Sequence, residues 1–371
     1  MKKQILLLAL LLAGTSAFAQ RFDYNVSLDY LFNNGTYNAS YELFEANQTI
    51  HGLVFTPTVG VSVRQFKNIN HRVMIGIDVI KDLGSGTPHQ DMFKEIVYFY
   101  NLEARMKNGG VLSAIAGCFP TSFLENGFTQ ASFSDEVSFR DRNYEGFGVK
   151  YRSHRFYGDL AFDSFSRYGD YTREKMQLMT TGEWEFLRSL SLGWTGHAMY
   201  FGPAARMDNT VYSVESFAYL KWAPRTKLQK LSLSAGWVQN FQKDMAVADE
   251  VFLPGGVMSI QEVGHWGFGL HNNFYFGQDL MPLYAHSYND VRYAGNLFFG
   301  KRFYHTQIVG YSIYDRLELY WEPRIAEWVT IRLAAVAHLG NPTDQFGFFR
   351  GWQQVVSVKF DLDPIRVSKI R

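Results

Sequence analysis

Charged side chains two residues apart recur along this chain. Glu103 and Arg105, Lys150 and Arg152, Arg316 and Glu318, and Lys359 and Asp361 each enclose one non-ionisable or aromatic residue. In an extended strand that spacing puts both charges on one face and the enclosed residue on the other. Arg64, Arg155, Asp159, Asp163, Lys221 and Arg332 fall on the same alternating faces. The set carries both signs, with a modest basic excess. Such a face suits a water-filled passage whose charges tune which solutes pass. It equally suits an interior braced by Arg–carboxylate pairs.

Catalytic chemistry is not indicated. The histidines are scattered, and His265 and His271, read as one strand face, would stand about 20 Å apart. His197 and His338 are isolated strand residues, and nothing fixes a geometry between Ser259 and His265. No G-x-S-x-G, H-E-x-x-H, P-loop or dinucleotide fingerprint is present. The expectation is therefore no catalytic residue, no cofactor and no metal. Asp244, Asp249, Glu250 and Glu262 in segment 242–262 offer oxygen ligands, but not at the spacing of a calcium loop. Cys118, the sole cysteine, has no disulfide partner and should pack as a small apolar residue in a strand.

The elements that carry these charges read as β-strands. In Trp352–Leu362 one face is Trp352, Gln354, Val356, Val358, Phe360 and Leu362, and the other is Gln353, Val355, Ser357, Lys359 and Asp361. One side suits hydrocarbon and the other water, the pattern of a transmembrane strand. Val73–Val79, Ile96–Arg105, Phe147–Tyr151 and Val329–His338 repeat it, and helical spacing fits none of them. Short connections near 67–71, 107–110, 153–154, 187–189, 223–230 and 322–327 alternate with longer ones at 34–50, 82–93, 121–143, 202–210, 242–262 and 340–350. Walking the chain up and down yields strands near 22–33, 51–66, 72–82, 94–107, 110–120, 144–153, 155–166, 173–187, 190–201, 211–224, 229–241, 263–277, 290–300, 307–321, 328–339 and 351–363. The expected fold is all-β: a transmembrane antiparallel β-barrel of about sixteen strands, with fourteen to eighteen as the range. The last strand should close on 22–33. A soluble β-sandwich or propeller is the rival; it would need a second internal core pattern that the chain lacks.

The remaining features agree. Met1-Lys2-Lys3, the apolar run from Ile5 to Ala13 and Ala17-Phe18-Ala19 read as a signal peptide over 1–19, leaving one domain over 20–371. Aromatics are 17% and charged residues 19%, with mean hydropathy −0.17. A helical membrane protein would be strongly positive on that scale, whereas alternating faces average out. The net charge of +1 argues against a nucleic-acid partner. Loop 121–143 sets Phe123, Phe128, Phe133, Phe139 and Tyr144 beside Glu125, Asp135, Glu136, Arg140, Asp141 and Arg142. A loop of that length either folds into the lumen, forms a lid or partner contact, or packs outside without meeting solute.

Two stretches resemble a known group. Ala116-Gly117-Cys118-Phe119-Pro120, then Phe133-Ser134-Asp135 and Tyr144-Glu145-Gly146, resembles an "AG-x-FP … FSD … EG" pattern of porin-like outer-membrane barrels of Bacteroidetes. Tyr293-Ala294-Gly295 through Phe303-Tyr304, then Tyr314–Trp321, looks like the C-terminal half of the same group. The resemblance spans roughly 110–363 and implies an outer-membrane barrel distantly similar to porins; it carries over no site residue. The up-and-down walk of an even number of strands places both termini in the periplasm. The expected function is a porin-like channel for small hydrophilic solutes. A non-conducting assembly subunit and an outer-membrane lipid hydrolase are the alternatives. The expected partners are outer-membrane lipid and either other outer-membrane proteins or further copies of the chain.

Overall fold

In hydrocarbon a strand has no water to satisfy its backbone, so a sheet there must close on itself. The computed structural model shows that closure. It describes residues 19–38, 47–84, 93–125, 127–167, 173–203, 210–245, 250–283, 299–304, 310–343 and 347–362. The first strands are β1 (Ala19–Tyr37), β2 (Gln48–Gln65), β3 (Ile69–Asp82), β4 (Phe93–Arg105), β5 (Val111–Pro120), β6 (Asn143–Arg152), β7 (Phe156–Ser166) and β8 (Lys175–Leu187). There follow β9 (Leu190–Phe201), β10 (Val211–Trp222), β11 (Lys230–Asp244), β12 (Gly255–His265), β13 (Phe268–Gly277) and β14 (Ser312–Trp321). The chain ends with the three-residue β15 (Arg324–Ala326), β16 (Val329–Thr343) and β17 (Gly347–Leu362). Every pairing is antiparallel, and β1 pairs with both β2 and β17. The result is a closed barrel of sixteen spanning strands, with β15 a short extension at the β14–β16 turn.

The closing register is Val26 opposite Leu362 through Tyr37 opposite Gly351. Trp352 is exposed on the outer face, whereas Gln353 is buried inside. Outward residues elsewhere are large and apolar: Val59, Val61, Val73, Ile75, Tyr98, Phe147, Val149 and Leu220 are all exposed. Tyr24, Phe66, Trp184, Trp222, Trp266, Phe268, Trp321 and Trp328 mark the barrel's short-turn end. Among the described residues no helix is long and apolar enough to cross a membrane.

Four expectations need correction, all on the C-terminal side. The expected strand 263–277 is a hairpin: β12 turns at Trp266-Gly267 into β13, with φ of 54° and 83° at the turn. A two-residue turn with both φ positive favours Asn-Gly or Asp-Gly, and a Trp in the first position hides that signal. Segment 242–262 is consequently not one long loop, since β12 begins at Gly255. The strand expected at 290–300 does not separate its neighbours, because β13 pairs directly with β14; all but 299–300 of that segment lies outside the described residues. The loop expected at 340–350 is also shorter, as β16 and β17 pair out to Thr343 and Gly347. The signal-peptide reading falls almost wholly outside the described residues.

Ile75 is 56% exposed near the middle of β3, between Val59 and Tyr98. Ile75→Arg should lower barrel stability by about 2–4 kcal/mol, the cost of a cation at mid-bilayer depth. Urea unfolding in lipid vesicles measures it.

Candidate functional site

The inward faces follow from the same period of two. Residues 23, 29, 31 and 33 of β1, the even positions of β14, 336, 338 and 340 of β16, and the odd positions in the middle of β7 to β10 are buried, while their neighbours face out. The space they enclose is not empty. Loop 121–142 turns inward after Pro120 through a 3-10 turn, Thr121–Phe123, and a short helix α1 (Asp135–Arg140). Ser134 caps α1, its Oγ accepting from Val137 N at 3.3 Å. Asp135 and Glu136 lie in the first turn and Arg140 in the last, matching the helix dipole.

The barrel wall holds this loop by its backbone as much as by its side chains. Asp159 on β7 accepts from Glu125 N at 2.9 Å and from the Thr181 N and Oγ1 at 2.8 Å. Lys150 Nζ donates to Phe123 O at 2.9 Å and lies 3.4 Å from Glu125 Oε1, while Arg152 pairs with Glu125 Oε2. Ser132 Oγ donates to Glu215 Oε1 at 2.5 Å. At the far end Arg142 pairs with Asp29, and Asn143 donates to Asp78 and Glu95. Phe133 stacks on His197 at 4.5 Å, and Phe123, Leu124, Phe128 and Phe133 pack against Ile115, Phe119 and Met179. The loop therefore fills the lumen, one of the three expectations for it.

A second segment, from the connection between β13 and β14, fills the lumen beside it. Asn240 Nδ2 donates to Leu280 O at 2.5 Å. Phe303 stacks over the adjacent, hydrogen-bonded Tyr314 and His338, with centroids 4.8 and 4.7 Å away and rings almost parallel. The two loops are joined by Ser134 N to Phe299 O (2.6 Å), Lys301 N to Gln130 O (2.7 Å) and a 3.6 Å approach of Lys301 Nζ to Asp135 Oδ2. Burial raises the pKa of the Asp135 carboxyl, but Lys301, Arg316 and His338 outweigh it and hold the group below the usual carboxylate range.

Between α1 and the opposite wall a cavity of about 620 Å³ remains. Arg316, Glu318, Arg332, Lys359 and His271 line it on the wall side; Asp135, Asp141 and Arg142 line it on the loop side. Arg316 Nη1 donates to Glu318 Oε2 at 2.5 Å, and Arg332 forks onto Glu318 Oε1 at 2.9 and 2.6 Å. Arg332 Nη1 reaches Glu322 at 2.7 Å, and Lys230 joins Glu322 to Glu262. The outcome is a ladder of alternating charges along one wall, with the guanidinium of Arg332 3.8 Å over the Tyr320 ring.

The sequence-derived residues separate into groups. Arg316, Glu318, Arg332 and Lys359 meet at the cavity. Lys150, Arg152, Asp159 and Asp163 lie elsewhere inside, the first three anchoring the loop and Asp163 accepting from Gln177 and Glu145 N. Lys221 pairs with Glu183 at 2.8 Å. Arg64, Glu103, Arg105 and Asp361 share the inward register near the short turns, where Arg64 and Arg105 are exposed. Arg155 is in a turn and not on a strand face, a correction. His265 and His271 lie on different strands, one facing out and one in, so the shared face is also corrected. Glu262 belongs to the interior, paired with Lys230, and not to a surface loop; Asp249 lies outside the described residues. Period-two reading of β1, β3 and β10 would have found Asp29 and Asp78, each between apolar or aromatic residues, and Glu215, between Val214 and Ser216. Cys118 is buried in β5, but its neighbours are carboxylates: Glu95 Oε2 at 3.5 Å and Glu145. Asn143 and Lys94 already neutralise or bond Glu95. Four of the described histidines bond Tyr or Gln: His51 to Tyr30, His71 to Tyr100 and Gln65, His197 to Gln177, His338 to Tyr314 and Gln353; His271 lies 4.0 Å from Glu318.

Two outcomes follow from the anchoring. Asp159→Ala should cost about 1–3 kcal/mol by orphaning three donors, and limited proteolysis should then cut within 121–142. The Asp135 contribution should be complete above the usual carboxylate pKa and lost as pH falls through the lowered value. Protease resistance of the loop should show that acid loss in the wild type and not in Asp135→Asn.

No protein-family model and no curated protein matches the chain. Solved structures do. One is the Salmonella typhi OmpF complex with daunomycin, at TM-score 0.50 and 9% identity over 92% of this chain and 97% of that one. Another is a loop L8 deletion mutant of OmpT, an outer membrane protein of Vibrio cholerae, at TM-score 0.51 and 11% identity over 93% and 100%. At such identities the likeness is one of architecture, and the chain has the closed sixteen-stranded fold of outer-membrane porins.

Proposed function

We propose that this chain is an outer-membrane channel with a loop-narrowed lumen for small hydrophilic solutes. The observation that carries the reading is the cavity between α1 and the β13–β17 wall, lined by Arg316, Glu318, Arg332 and Lys359 opposite Asp135 and Asp141. Polar walls of both signs stabilise hydrated and dipolar solutes over apolar ones. The exposed apolar outer face and the porin architecture support an outer-membrane placement. Ala19 and Leu362, the first and last described residues, lie at the short-turn end of the barrel, which supports periplasmic termini.

A second reading, a non-conducting assembly subunit, has its own support. Tyr37, Phe217, Tyr275, Leu280, Phe303, Tyr304 and Tyr314 form an apolar cluster inside the barrel, and such packing resists hydration. Planar bilayers separate the two. The channel reading expects steady single-channel steps, with Lys359→Glu shifting the reversal potential in a salt gradient toward cation preference. Inserted, folded protein that passes no current at any voltage would sink it. Fixed-stoichiometry recovery of other envelope proteins with a silent barrel would favour the assembly reading.

A further inference from the structure

The short connections between β2 and β11 carry charge of one sign. They are 66–68, 106–110, 153–155, 188–189 and 223–229, and they hold Lys67, Lys107, Arg155, Arg188, Arg225 and Lys227 with no aspartate or glutamate. All six cations are exposed, and among the described residues none lies in an ion pair. The chain as a whole carries only +1, so this excess belongs to one end of the barrel. Connection 121–142, from the opposite end, instead sets Glu125, Asp135, Glu136 and Asp141 beside Arg140 and Arg142.

Each of the five connections also places an apolar side chain next to a cation: Phe66-Lys67, Met106-Lys107, Arg155-Phe156, Leu187-Arg188 and Lys227-Leu228. Phe66, Met106, Leu187 and Leu228 are exposed, Phe66 by 75%. Trp184 and Trp222, also exposed, end the neighbouring strands at the same rim. Phe66 and Lys67 have φ of 52° and 60°, where a tight turn favours Asn and Gly. Holding a Phe there costs backbone energy, and burying its ring at the edge of hydrocarbon offsets that cost. The adjacent cation then stands in the headgroup layer, which is about 5–8 Å thick. Long Lys and Arg side chains take up differences in height from one turn to the next.

The turns act together. Neighbouring ones are two strand spacings apart, about 10 Å, which is close to the Debye length at about 0.1 M salt. Their charges therefore sum to one field along the rim. A cluster of this size and sign beside a bilayer recruits anionic headgroups. The arc covers ten of the sixteen spanning strands, β2 to β11, and so wraps more than half of the rim. A globular partner beside the barrel touches only part of such an arc, whereas a lipid leaflet surrounds all of it.

We infer that the β2–β11 rim binds the phosphate groups of anionic phospholipid in the adjoining leaflet, through Lys67, Lys107, Arg155, Arg188, Arg225 and Lys227. The apolar neighbour of each cation anchors its turn at the hydrocarbon edge. The inference rests on the membrane placement proposed above and not on conduction; a silent barrel leaves it standing.

Native mass spectrometry of the full, folded barrel with equal amounts of phosphatidylglycerol and phosphatidylethanolamine tests it. The wild type should retain phosphatidylglycerol about fivefold better or more, the effect of one well-placed cation, and high salt should erase the difference. K67Q/K107Q/R155Q/R188Q/R225Q/K227Q should lose the preference. K81Q/K243Q, at the opposite ends of β3 and β11, should keep it. If the sixfold variant does not fold, the wild type in vesicles gives the answer: phosphatidylglycerol with brominated chains should quench tryptophan emission more than brominated phosphatidylethanolamine at equal fraction. Equal retention and equal quenching, a preference undiminished in the sixfold variant, or capture of an acidic soluble protein with no lipid preference would each overturn the inference. A barrel that never enters vesicles overturns the membrane placement with it; one that enters without preference overturns this inference alone.

Discussion

Everything in this barrel depends on the pairing of β1 with β17. A sheet of sixteen spanning strands left open would present two unpaired edges to hydrocarbon, and each unsatisfied N–H or C=O there costs several kcal/mol. The closing ladder runs from Val26–Leu362 to Tyr37–Gly351, so the whole outer half of β1 is engaged. Side chains reinforce it across the seam, where Gln353 bridges Asn33 at 3.0 Å and His338 at 2.8 Å. Closure also creates the interior. Once the ring is complete, every second residue of every strand is confined to one enclosed space, and its polarity must be settled there.

That interior is settled in two ways. On the wall from β11 to β16, charges neutralise charges: Arg316, Glu318, Arg332, Glu322, Lys230 and Glu262 form one alternating run. Elsewhere, loops supply what the strands need. Asp159 is buried and satisfied because a loop amide and Thr181 donate to it, and Glu215 is met by Ser132. Aromatic stacking of Phe133 on His197 and of Phe303 on His338 ties the loop backbones to the wall. The lumen is accordingly divided, with a packed apolar part under the two loops and a polar cavity facing the charged wall.

Much of the fold was legible because a strand between lipid and water must alternate. Trp352–Leu362, Val73–Val79 and Phe147–Tyr151 gave their faces and positions, and the inward register of Lys150, Arg316, Glu318, Arg332 and Lys359 followed from the same period. β12 was not legible. Ser259 and Gln261 occupy its outward face, so no apolar alternation marks it, and Trp266-Gly267 conceals the turn that follows. The error near 290–300 came from the same place, since a missing strand had to be found elsewhere for the count to come out even.

By itself, then, the sequence determined that this is a closed antiparallel barrel with an apolar exterior, a mixed-charge interior and a final strand that meets the first. Period-two alternation and the need to satisfy the backbone are local and repetitive, and they survive without coordinates. Only the tertiary structure decided which inward charges share a cavity and which anchor a loop, because those groupings join residues such as Asp29 and Arg142, or Lys301 and Asp135, far apart in the chain. It also decided that the aromatic loop folds inward. Phe123, Phe133 and Phe139 are apolar anywhere, and only the barrel's own apolar lining, brought together from many strands, gives them a place to be buried.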